Sequence, residues 1–232
     1  MTNLILQYYD GLKTPESKVS IAHMQKYAEM MGVEYKLLDG RPFMPEIRFQ
    51  GKKAFRNQCL AALNQEFDDY EIIVVVDTDM VLAKRENTPN IFTDETGIGI
   101  LTDDIKNTIL AKLRGRFPTL SNNIHMFGDG SVWRLERHIR QRLREEIDIR
   151  DITGLGNSEF ADRGIMHRLC ALANIKAIDE NILSQKWSYS SYLPKASQNG
   201  VFIHLRKTTP DKSETITKFE AYRRLNKKGE VY

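Results

Sequence analysis

Cysteine is scarce. The chain of 232 residues holds two, Cys59 and Cys170. Both fall inside apparent helices, so free, buried, reduced thiols are expected, as in a cytosolic protein, and a disulfide scaffold is excluded. No apolar run approaches the length of a membrane-spanning helix. No signal peptide is expected either, because "LILQYY" is short and Asp10 follows at once. Charge of one sign is also missing: 34 Lys and Arg against 31 Asp and Glu leave a net +3, too little to argue for nucleic acid. The basic residues do cluster, in "WRLERHIRQRLR" and "AYRRLNKKG". Solvated helix faces are the plain reading and an anionic partner the sharper one. There is no internal repeat and no low-complexity linker. With 41% hydrophobic and 28% charged residues, the chain has the composition of an ordinary globular protein. Its length suits one large domain or two small ones.

What is present is an alternation of short apolar runs and amphipathic stretches. "NLILQYY" reads as a first strand. In "TPESKVSIAHMQKYAEMMG", Thr14 caps a helix with Pro15 at its first position, Ile21, Met24, Ala28 and Met31 share one face, and Gly32 ends it. "VEYKLL" is a second strand. Residues 52–66 read as a helix with Phe55, Cys59, Ala62 and Leu63 inward. "EIIVVV" is a strand buried on both faces. "TGIGIL" is another strand, "DDIKNTILAKL" a helix, and "IHMFGDGSV" a short strand that breaks at Gly-Asp-Gly. "WRLERHIRQRLREEI" reads as a helix with Leu135, Ile139 and Leu143 inward. "ADRGIMHRLCALA" is helical, and "IKAI" and "VFIHL" are strands. The last twenty or so residues are polar and basic, either a peripheral helix or a frayed tail. Strands alternating with helices predict a three-layer α/β/α sandwich with a mainly parallel central sheet.

The chemistry concentrates where Ile72–Val76 runs into Asp77-Thr78-Asp79. Isolated buried carboxylates are costly, so these two should sit at the open end of the strand and face a cation or a proton-transfer task. In extended backbone, positions i and i+2 point to one side, about 7 Å apart. Ligands of open α/β sheets bind beyond the carboxyl ends of the strands. Gln7, Tyr8 and Tyr9 lie at such an end, as does His204 in "VFIHLRK". His204 with Asp77 and Asp79 would make an oxygen-and-nitrogen site suited to Mn2+ or Mg2+, since it lacks the thiolates that favour zinc. A satisfied histidine at a strand edge is the alternative for His204.

An apolar strand ending in Asp-x-Asp resembles the signature of nucleotide-sugar glycosyltransferases of the GT-A fold. The likeness extends in order over roughly residues 1–207. It takes in a strand and helix suited to a nucleotide half-domain, and Arg56 on the helix before Asp77. It continues through "MFGDGSVWRLERHI", "EFADRGIMHRL" and the closing His of "IHLRK". The resemblance implies a single GT-A-like catalytic domain over 1–210, with 211–232 a basic C-terminal helix or tail. It implies a cytoplasmic enzyme of the small bacterial or viral type that moves a sugar from a nucleoside diphosphate sugar, UDP by family frequency, to a glycan or glycoprotein. Metal would be held by Asp77, Asp79 and His204. The donor would meet Gln7, Tyr8, Tyr9, Arg56 and Asp77, with Arg206 and Lys207 on phosphate oxygens. An inverting enzyme would need a carboxylate base, Asp162 first and Glu159 second. Asp129 would bind acceptor hydroxyls. Each has a plainer alternative: core packing for one of the tyrosines, solvated charge for Arg56, Arg206 and Lys207, helix-terminal charge matching for Asp162 and Glu159, a turn for Asp129. Trp133 would floor the acceptor or fill core, and Trp187 and Tyr189 lie on a polar stretch that would close over the donor.

"VVVDTDMV" also resembles the first motif of haloacid-dehalogenase-like phosphatases, with Asp77 as nucleophile and Asp79 as acid and base, and "GIGILTDD" resembles their late Asp-Asp motif. That family's first motif normally opens the domain, whereas some 70 residues precede it here. A non-catalytic nucleotide- or metal-binding module is the third reading.

Overall fold

Leu4, Ile5, Leu6, Gln7 and Tyr8 are all buried, so strand β1 (Thr2–Tyr9) is covered on both faces and sits inside a sheet rather than at its edge. The computed structural model describes residues 2–9, 13–39, 61–93, 98–100, 128–146, 187–191, 200–207 and 213–232, with backbone alone at 98–100, 128–130 and 190. Along the chain, β1 is followed by α1 (Pro15–Met31), β2 (Glu34–Asp39), β3 (Tyr70–Val76), β4 (Met80–Leu82), β5 (Ile98–Ile100), β6 (Gly128–Glu136), α2 (Arg137–Glu145), β7 (Ser188–Ser190), β8 (Phe202–His204) and α3 (Lys218–Lys227).

The main sheet has the order β2-β1-β3-β6-β5, and a second sheet the order β4-β8-β7. β1 pairs in parallel with β2 and β3. β6 is antiparallel to β3, and β5 to β6. Four of the five strands therefore run one way, giving a mixed α/β fold with a parallel-rich sheet. Successive residues of a strand face opposite sides. Ile5, Ile72, Val74 and Val76 pack with Met24, Tyr27 and Ala28 of α1, while Ile73 and Val75, pointing the other way, are equally buried. Helix α2 packs on β3 and β6.

Helix α1 forms as its sequence dictates. Thr14 Oγ1 accepts from Ser17 N at 3.3 Å, Pro15 opens the helix, and Gly32 closes it at φ 65°, which favours glycine. Its buried face is Ser17, Ser20, His23, Met24, Tyr27 and Ala28. It is rotated from the expected stripe, and Ile21 and Met31 are half-buried.

Several expectations need correction. Residues 133–136 are not helical: β6 runs through Trp133, Arg134 and Leu135, and only 137–145 form α2. Arg134 made the segment look amphipathic, yet it is buried, its Nε donating to Ile91 O at 2.9 Å and its guanidinium pairing with Glu136 at 2.9 Å. Gly128–Gly130 begins that strand rather than breaking one. The helix expected to reach residue 66 ends at Ala61 among the described residues, and Asn64 caps a separate 3-10 turn, Gln65–Phe67. Trp187 and Tyr189 belong to the core around β7, not to a loop over the donor. Gly200 lies against this strand, where a Cβ would sit 2.8 Å from Tyr189 Cδ1. At the C-terminal end the packed-helix alternative is the one observed. Ala221 and Leu225 of α3 are buried with Val81, Ala83, Ile203 and Leu205, and Val231 joins the same cluster. The basic segment around α2 is also less solvated than its composition indicates. Arg140 is fully buried and donates to the carbonyls of Phe67, Tyr70, Glu71 and Leu135. Arg144 pairs with Asp68.

Candidate functional site

Val76 is the last residue of β3, and the chain then turns. Asp77, Thr78 and Asp79 form that turn, with Met80 N donating to Asp77 O at 3.3 Å, before β4 begins. The two carboxylates are thus not on one face of an extended strand, as their spacing implies. They are brought together by the turn. On the neighbouring strand β8, His204 is paired across from Met80, and Leu205 N donates to Asp79 O at 2.9 Å. One ligand atom from each of Asp77, Asp79 and His204 falls within 4.8 Å of the others. This constellation stands at the carboxyl end of β3, beside the carboxyl ends of β1 and β2 at Tyr9 and Asp39.

The backbone of the turn is held from behind. Gln7 is fully buried in β1. Its Nε2 donates to Asp77 O at 3.0 Å and to Ser20 Oγ at 3.0 Å, and Ser20 Oγ reaches the same carbonyl at 3.3 Å. Tyr35 of β2 completes the group by donating to Gln7 Oε1 at 2.9 Å. On the other side Asp77 N donates to Ser131 O of β6 at 2.9 Å. Gln7 therefore works on the far side of Asp77, as a support for the turn rather than a surface for a donor. Tyr8 is core and Tyr9 half-buried.

Neither carboxylate is freely solvated, both residues being half-buried. The Asp79 side chain is 15% exposed, and its Oδ2 lies 3.2 Å from His204 Nε2. The ammonium of Lys218, first residue of α3, contacts the same oxygen. Burial opposes ionisation of Asp79, but His204 and Lys218 outweigh it and hold the carboxyl well below the usual range. Asp79 Oδ1 is buried without a hydrogen-bond partner among the described residues. An orphaned carboxylate oxygen inside a cluster of two carboxylates and an imidazole is what a hard divalent cation would satisfy.

Arg206 adjoins the site; its N donates to Ser191 Oγ at 2.9 Å and its side chain is half-buried, while Lys207 is exposed. Trp133 fills core. The backbone of Asp129 lies in β6. Its side chain, with Arg56, Glu159 and Asp162, lies outside the described residues. Ser20, Tyr35 and Lys218 are the residues that sequence reasoning missed. A polar residue on the buried face of α1 and a half-buried tyrosine on β2 were a faint signal. Lys218, 139 residues from Asp79, offered none.

No protein-family model matches the sequence, and no curated protein matches it significantly. Solved structures do match in fold. One is a glycosyltransferase involved in the glycosylation of the major capsid of PBCV-1, at TM-score 0.58 and 11% identity over 98% of this chain and 100% of that one. Another is the bifunctional glycosyltransferase WbbM, at TM-score 0.52 and 10% identity, covering 96% of this chain and 51% of that one. A third is the galactosyltransferase LgtC, solved with donor and acceptor sugar analogs, at TM-score 0.50 and 10% identity over 98% and 96%. The fold of this chain is that of GT-A-type glycosyltransferases. No helix among the described residues is long and apolar enough to cross a membrane.

Proposed function

We propose that this protein is a metal-dependent glycosyltransferase that moves a sugar from a nucleoside diphosphate sugar, UDP favoured, to a glycan or glycoprotein acceptor in the cytoplasm. The observation that carries the reading is the convergence of Asp77, Asp79 and His204 at the carboxyl end of β3, in a fold shared with glycosyltransferases. The same fold weighs against the phosphatase reading of Asp77-Thr78-Asp79.

Asp79, Asp77 and His204 would hold Mn2+ or Mg2+, a set of hard oxygens and one imidazole that fits either ion. When bound there, the ion supplies Lewis-acid neutralisation of a diphosphate leaving group, worth several kcal/mol in such reactions. The remaining work belongs to the chain. Gln7, Ser20 and Tyr35 fix the Asp77 carbonyl and with it the direction of both carboxylates. Tyr9, Arg56, Arg206 and Lys207 are the proposed donor contacts. In the inverting mechanism that we favour, an acceptor hydroxyl oxygen bonds to the anomeric carbon as the bond to the diphosphate breaks. The hydroxyl proton passes to Asp162, with Glu159 the second candidate, and Asp129 binds acceptor hydroxyls.

Thermal-shift titration with UDP, GDP and CDP, each with and without Mn2+, tests the reading. Metal-dependent stabilisation by one nucleotide, UDP by preference, is the expected result. No stabilisation by any of them in either condition would remove the support for a nucleotide-sugar transferase. Rapid hydrolysis of p-nitrophenyl phosphate, lost in Asp77→Asn, would point to the phosphatase instead.

A further inference from the structure

Asp79 Oδ2 is shared by two nitrogen bases, His204 Nε2 at 3.2 Å and the ammonium of Lys218, whereas Oδ1 has no hydrogen-bond partner among the described residues. Lys218 comes from an element remote in sequence. It opens α3, whose Thr217 cap accepts from Glu220 N at 3.0 Å. Ala221 and Leu225 bury the helix against β4 and β8, and Tyr222 stacks with Phe219 and meets His23 edge-on. The helix is thus fixed to the strands that carry the site, and Lys218 alone reaches into it, its side chain 27% exposed. A lysine offers a single positive charge on a flexible four-carbon stem. It can neutralise Asp79 in one rotamer and leave through the exposed side in another.

We infer that Lys218 is a resident counter-cation that competes with a divalent ion for Asp79, so that the C-terminal helix sets the metal affinity of the site. The inference rests on the proposed metal site at Asp77, Asp79 and His204. An ion taken up on the unpartnered Oδ1 would share one carboxylate with the ammonium on Oδ2, and like charges so close in a partly buried place repel. Metal binding then favours withdrawal of Lys218. The pairing has a use when the site is without an ion: it keeps a buried carboxylate compensated and the turn at 77–79 in shape.

The test is the affinity of Mn2+ alone, without nucleotide, followed by electron paramagnetic resonance of the free ion in the full chain and its variants. Lys218→Met keeps the length of the stem and removes the charge. It should tighten Mn2+ binding at least about fivefold to tenfold, the scale of a partly buried ion pair that no longer has to be broken. Lys218→Arg should stay near the parent affinity, since the cation is retained. Asp79→Asn must abolish binding in each background, which ties the signal to this site. Unchanged or weaker binding in Lys218→Met, with binding still lost in Asp79→Asn, overturns the competition and leaves the metal site standing. If parent, Lys218→Met and Lys218→Arg bind no Mn2+, or bind it equally well after Asp79→Asn, the metal site itself is wrong and the competition falls with it. Should Lys218→Met not fold, Lys218→Gln replaces it with the same expectations.

Discussion

His23 ties the pH dependence of stability to the platform on which the site is built. It lies on α1, buried, with Nδ1 accepting from Leu82 N of β4 at 3.2 Å and the ring edge-on to Tyr222 at 5.8 Å. Since Nδ1 is an acceptor, the neutral ring carries its proton on Nε2. Burial first, and then the charge of Lys26 one turn on, pushes its pKa down to about 4. In the unfolded chain the ring titrates near its ordinary 6.5. Between the two values the unfolded state binds the proton and the folded state does not. Stability from this group is therefore full above pH 6.5 and is lost as pH falls toward 4. Linkage gives a loss of about 2 kcal/mol between pH 7.5 and 5, rising to about 3 kcal/mol at pH 4. His23→Asn keeps an acceptor near the Nδ1 position and does not titrate. Urea unfolding of both proteins at pH 7.5, 6, 5 and 4.5 isolates the term, because the carboxylates shared by the two cancel in the difference. The parent should lose about 2 kcal/mol more than His23→Asn on going from pH 7.5 to 5. A difference that stays flat within about 0.5 kcal/mol, or that moves in favour of the parent as pH falls, refutes the argument.

Gln7→Leu leaves Tyr35 and Ser20 without their buried partner and takes one donor from the Asp77 carbonyl, which keeps Ser20 Oγ and Met80 N. We expect about 2–4 kcal/mol lost in urea unfolding, together with weaker Mn2+ binding; a loss of stability with unchanged metal affinity would separate Gln7 from the site. Arg140→Met removes the guanidinium that donates to the carbonyls of Phe67, Tyr70, Glu71 and Leu135, and about 3–5 kcal/mol of destabilisation should follow, read as a fall in the urea midpoint. Asp77→Ala or Asp79→Ala should abolish transfer and metal-dependent nucleotide binding while circular dichroism stays native, and near-normal turnover in either would sink the metal assignment. Asp162→Asn should cut turnover by roughly 10²-fold or more with donor binding retained; if it turns over normally while Glu159→Gln or Asp129→Asn does not, the base lies elsewhere, and retention of the donor's anomeric configuration in the product would overturn inversion itself.

Local rules carried the fold a long way where one element obeyed one rule. The cap at Thr14, the closing Gly32 and the apolar run of β3 each follow from a few neighbouring residues. The misread stretch, 128–136, shows where such rules stop. Residues 131–135 of β6 are all buried, so this stretch lacks the alternation that marks a half-exposed strand. One of its inward side chains, Arg134, reaches backbone oxygens of 91 and 92 that lie 43 and 42 residues away. A charged residue satisfied by distant carbonyls is indistinguishable, in sequence, from a charged residue in water. The same holds for Arg140, and for Arg137 and Arg144, which donate to the carbonyls of Asp69, Tyr70 and Leu63.

The site divides along the same line. The side chains that would meet an ion are legible because their chemistry is local: two acids at the end of an apolar strand, and a histidine at the end of another. The residues that place them are not, because each acts across the fold. Gln7 holds a carbonyl 70 residues on, and Ser20 holds the same oxygen from a helix. Lys218 adds a charge from a segment whose sequence signalled only a basic helix or tail. Composition could say that the tail is basic. Only the packing of Ala221 and Leu225 against β4 and β8 brings one of those cations to Asp79. It follows that a substitution at Ala221 or Leu225, far from any ligand atom, should alter metal affinity by moving Lys218, whereas Arg223, exposed on the same helix, should be replaceable without effect.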